Sequence, residues 1–249
     1  MRTHPLLALL ASVLTTTAQA GFLSDTAPDV TLRLSGFALG AGAVDTSKTG
    51  WVNAGEFTGQ ITRSGVTSSF LTYCTDIYQS FNWNTIYTYS PVVTGSINGF
   101  STRQEDLLGK LYSLAGSGVD STLKSAAFQL AVWEIVTETA PTLDLLAGNF
   151  FLEQTATPAQ RDVASGWLQA VSASNAAKAY NAVRLYNAST QDFVVFERVP
   201  PATVVPEPTS LLLASLAMAC LALASMVAAA RRRNMAQKKP GNRMTVTRL

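Results

Sequence analysis

The chain has 249 residues, 47% hydrophobic and 14% charged, with a net charge of +2, one histidine and two cysteines. Between residues 21 and 204 there are 10 Lys/Arg against 15 Asp/Glu, so the basic balance belongs to the C-terminal tail and nucleic-acid binding is not expected. The lone histidine, His4, lies outside this body, which excludes Ser-His-Asp and Cys-His catalysis and His-ligated zinc there.

Residues 1–20 read as a signal peptide. Arg2 gives a positive start, Pro5–Leu14 an apolar stretch, and Ala18-Gln19-Ala20 a small-x-small cleavage site before Gly21. The body that follows, residues 21–198, is therefore expected to be exported. Its first half alternates with period two over Val30–Leu39, Glu56–Thr62, Ser68–Thr75 and Ile86–Val93, which predicts antiparallel strands with one packed and one wet face. Helical spacing takes over at Gln104–Ala115, where Leu107, Leu108, Leu111 and Leu114 share a face and Ser101 with Gln104 offers a capping box. A second helix is expected over Thr122–Glu138, capped by Asp120 or Ser121, and a third begins at Thr157-Pro158. Tyr180–Tyr186 and Asp192–Val199 return to strand alternation. The fold class expected is α+β: one domain of antiparallel strands with an inserted helical subregion.

Beyond the body, residues 199–208 form a proline-rich linker containing Pro206-Glu207-Pro208. Residues 209–230 carry no charge and as a helix would span about 33 Å, enough to cross a bilayer. Arg231-Arg232-Arg233 follow at once and act as a membrane stop, with a basic cytoplasmic tail over 231–249. This order resembles the PEP-CTERM sorting signal of Gram-negative bacteria: a Pro-Glu-Pro motif, a transmembrane helix and a basic cluster. The resemblance implies a membrane-anchored intermediate, an exosortase as partner, and delivery to the cell surface or the extracellular polysaccharide matrix.

Two features of the body invite chemistry. Cys74 is its only thiol, so it cannot close an internal disulfide, and an unpaired cysteine in an exported domain needs a reason. Gln129 shares a helix face with Val132, Trp133 and Val136 by its spacing, so its amide needs a partner among apolar neighbours. Tyr73-Cys74 on a strand and Gln129-Leu130-Ala131-Val132-Trp133 on a helix resemble the two motifs of the thioester domains of bacterial surface adhesins. The resemblance implies an internal Cys74–Gln129 thioester, shielded by Tyr73, Phe128 and Trp133, that attaches the protein to amines of a surface or matrix protein or polysaccharide. That reaction is used once, so no enzyme is expected. The dispersed acids suggest no metal or cofactor. On this reading Cys74 resists alkylation, and alanine at either position leaves the fold largely intact. The alternative is a non-covalent structural or carbohydrate-binding surface protein in which Cys74 and Gln129 are core residues. Trp51, Trp83 and Trp167 form no sugar platform that the sequence reveals.

Overall fold

The computed structural model describes residues 28–153, 158–200, 218, 220–221 and 224–233. The expected signal peptide, Thr157 and Pro206-Glu207-Pro208 lie outside the described residues, as does most of the expected span 209–230. Contacts divide the chain into two units, Met1–Val199 and Pro200–Leu249. In the second, the described residues from Met218 onward are helical and exposed, and they include Arg231, Arg232 and Arg233. No helix among the described residues is long and apolar enough to cross a membrane.

The first unit runs through strands β1 (Val30–Phe37), β2 (Gly42–Thr46), β3 (Gly50–Ala54), β4 (Phe57–Arg63), β5 (Val66–Cys74) and β6 (Ile86–Val92). Helices α1 (Thr102–Ala115), α2 (Thr122–Thr137) and α3 (Pro158–Ala173) come next, followed by strands β7 (Tyr180–Tyr186) and β8 (Phe193–Arg198). The α+β class with antiparallel strands and a helical insertion therefore holds. What alternation did not foretell is closure: six strands form a barrel in the order β1-β4-β5-β8-β7-β6. Closure between β5 and β8 rests on two residue pairs, Tyr73↔Val194 and Cys74↔Phe193.

Local chemistry explains most of the elements. Ser64 and Gly65 both have positive φ and join β4 to β5 in a two-residue turn, the backbone hand that suits a tight hairpin. Ser101 and Gln104 form the expected capping box on α1, and Ser121, not Asp120, caps α2. Within the barrel, Phe193 from β8 meets Phe57 from β4 and Tyr89 from β6 edge to face, with ring centroids 5.7 and 5.6 Å apart.

Three expectations change. The hairpin β2–β3 was not foreseen, because Gly42–Thr46 and Gly50–Ala54 are only five residues each and both open on glycine. Leu114, expected on the packed face of α1, is 54% exposed, while Gly109 instead lies close to the Tyr180 carbonyl of β7. A Cβ at Gly109 would stand 2.3 Å from that oxygen, so glycine lets the helix sit against the strand. Finally, α2 has no single apolar stripe: every residue from Ser125 to Ile135 is buried. The helix is enclosed by β2, β3, β5, α1 and α3, which is why its polar residues matter.

Candidate functional site

The Cys74–Gln129 pair arises from a gap in the sheet. β4 pairs with β5 only as far as Phe57↔Thr72, since the chain before Phe57 turns away toward β3. Its Glu56 N–H is instead taken by the Ser125 hydroxyl of α2, at 2.7 Å. On the other side, Thr75 N–H donates to the Asp192 carbonyl at 2.9 Å, so the main-chain groups of Cys74 face away from β8 into the gap. Gln129 fills it. Its Oε1 accepts from Cys74 N–H at 2.9 Å and its Nε2 donates to the Cys74 carbonyl at 2.8 Å, with both residues fully buried. The amide thus stands in for a neighbouring strand.

The sulfur has its own set of contacts. Cys74 Sγ–H donates to the Asp76 carbonyl at 3.1 Å, and Gln191 Nε2 donates both to Sγ and, at 3.2 Å, to the same carbonyl. The indole Nε1 of Trp133 is buried without a hydrogen-bond partner, and its N–H favours the thiolate form of Cys74. Burial pushes the thiol up to about 12, against the opposing pull of Trp133, the Asp76 carbonyl and Gln191. The resting sulfur is therefore a protonated thiol. Resistance to alkylation follows from that alone and does not distinguish a cross-linked cysteine from a free one.

Tyr73 and Phe128 lie close together, ring centroids 4.5 Å apart. Tyr73 precedes Cys74 on the strand and so points to the opposite face; with Phe128 it forms a wall behind the strand, not a cover over the thiol. Burial, with Glu56 beside it, keeps the Tyr73 phenol well above its ordinary range. Trp133 and Gln191 instead border an open groove of about 360 Å³ with Phe37, Phe57, Phe81 and Trp83. Trp83 thus belongs to an aromatic cluster that its sequence neighbours do not reveal, 4.8 Å from Phe81 and 5.4 Å from Phe37 by ring centroid. Gln191 is the residue that sequence reasoning missed. It stands in the turn before β8, and the adjacent Asp192 fixes that turn by accepting from Asn187 N–H at 2.7 Å and from the Arg184 guanidinium.

Glu134, one position after Trp133, is fully buried; its Oε1 accepts from Asp144 N–H at 2.7 Å and its Oε2 has no partner. Burial raises its carboxyl to about 7, with Glu138 and Asp144 adding to the effect. The folded state therefore keeps this proton after the unfolded chain has released it. Its stabilising effect is complete below the ordinary carboxylate range and is lost as pH rises toward 7. Glu134→Gln, which mimics the protonated form, should remove this slope and make the protein about 2–3 kcal/mol more stable than wild type at pH 8. Urea unfolding at pH 5 and pH 8 measures it; parallel losses in the two proteins would contradict the assignment. No group of three or more metal-ligating side chains occurs among the described residues. Comparisons of the chain with protein-family models, curated proteins and solved structures found no match.

Proposed function

We propose that the protein is an exported surface or matrix protein that attaches covalently to amines through a Cys74–Gln129 thioester. The observation that carries this reading is the double hydrogen bond that holds the Gln129 amide against its own cysteine in a buried site. With the amide fixed on the Cys74 main chain, the sulfur's approach to the amide carbon is governed by one torsion, about the Cα–Cβ bond of Cys74. Such positioning supplies a high effective concentration without a dedicated base. The sulfur bonds to Gln129 Cδ, the C–N bond breaks, and the thiol proton leaves with the amide nitrogen as ammonia. Exclusion of water then protects the thioester from hydrolysis. An incoming primary amine attacks the same carbon, forms an amide at Gln129 and returns Cys74 as a thiol. The protein is consumed in the act, so it does not turn over as an enzyme.

The test is methylamine. Incubation of the purified full-length protein should free one thiol and place a methylamide on the Gln129 peptide, and neither should occur in Cys74→Ala. A protein left unlabelled supports the second reading, a structural or carbohydrate-binding module. The full use of both amide groups as a strand-edge cap favours that reading.

Sorting completes the proposal. The signal peptide, Pro206-Glu207-Pro208, the apolar stretch 209–230 and Arg231–Arg233 support export, membrane anchoring and processing by an exosortase in a Gram-negative cell. Deletion of residues 206–249 should release the protein from the cell surface. Unchanged surface retention and size would count against this part.

A further inference from the structure

We propose that Trp133 and Gln191 form a thiolate-holding pocket that governs how readily the bond opens. This inference rests on the thioester reading and extends it to the leaving group. When an amine attacks Gln129 Cδ, the C–S bond breaks and its electron pair stays on the Cys74 sulfur. The proton released by the attacking nitrogen afterwards restores the thiol, so atoms and charge balance. In a fully buried site a bare thiolate is strongly disfavoured, and the expelled sulfur needs donors already in place.

Two N–H groups meet that need. Gln191 Nε2 donates to Sγ from the turn fixed by Asp192, while the Trp133 indole N–H is buried without a hydrogen-bond partner and favours the charged form of the same sulfur. The two donors come from separate parts of the chain, α2 and the turn before β8, so the pocket is assembled only in the closed barrel. Neither residue carries a formal charge, so the pocket favours thiolate only as far as two neutral dipoles allow. With the bond open the sulfur accordingly rests as a thiol, and it carries anionic charge only while the C–S bond is forming or breaking. Both residues also border the aromatic groove, so they are the side chains that stand between it and the buried sulfur.

The test uses full-length wild type, Gln191→Met, Gln191→Glu and Trp133→Phe. Intact mass first shows whether each carries the bond, as one ammonia missing. The rate of thiol release in methylamine is then followed. Removal of one N–H donor to an anionic sulfur should slow opening roughly ten-fold or more. Gln191→Glu, which places an acceptor beside the sulfur, should be slower than Gln191→Met, an order that loss of packing alone does not produce. Trp133→Phe keeps a ring in place and tests the second donor separately. A folded variant that no longer closes the bond counts for the pocket, because formation also passes through sulfur anion character. If the variants carry the bond and open at the wild-type rate, the pocket is refuted and the cross-link stands. If wild type carries no bond, the thioester reading itself fails, and the pocket with it.

Discussion

Gln129→Ala should destabilise the protein by about 3–5 kcal/mol, a value large enough to unfold many domains. The truncation leaves the Cys74 N–H and C=O buried without partners, at about 1–3 kcal/mol for each, and opens a void in α2. Sequence reasoning expects alanine here to leave the fold largely intact, because it does not identify the Cys74 main chain as the partner that the Gln129 amide needs. The geometry makes the same amide a structural member of the sheet. Urea denaturation measures the cost, and a loss below about 1 kcal/mol would contradict the strand-edge role. Loss of a cross-link would add to the effect.

The second large effect concerns the bond. A thioester between residues 55 apart ties β5 to α2 and restricts the unfolded chain as a disulfide does. For a loop of that length the chain-entropy relation gives about 4 kcal/mol. Methylamine treatment should therefore lower the melting temperature of the wild-type protein by roughly 8–16 °C. Cys74→Ala should melt at the same temperature with and without the amine. Equal melting of treated and untreated wild type would mean that no covalent tie had been cut.

Much of this fold was readable because its signals are local. Period-two alternation located β1, β4, β5, β6, β7 and β8, and the Ser101–Gln104 box and Pro158 marked the starts of α1 and α3. Barrel closure was not readable, since β1 joins β6 and β5 joins β8 through pairings distant in sequence. The candidate site divides in the same way. Cys74 and Gln129 each stood out as a polar or reactive group out of place, but that Gln129 pairs with the cysteine main chain depends on where β4 departs from β5. Gln191 carried no signal, since a glutamine in a polar turn is ordinary, and only the tertiary fold brings it to the sulfur. The groove was hidden for a similar reason. Phe37 of β1, Phe57 of β4 and the loop residues Phe81 and Trp83 come from three separate segments and converge only when the barrel forms.

Intact mass tests the central claim most directly, because closure of the bond removes one ammonia and nothing else. Full-length protein, purified without exposure to amines and compared with its Cys74→Ala variant to cancel any processing, should be one ammonia lighter than its sequence predicts. The variant should show no such deficit. Mild treatment with methylamine should add the mass of one methylamine to the deficient form, which leaves the protein one CH2 heavier than its sequence predicts. A wild-type mass with no deficit relative to the variant would contradict the thioester and leave Gln129 as the amide that completes the edge of β5.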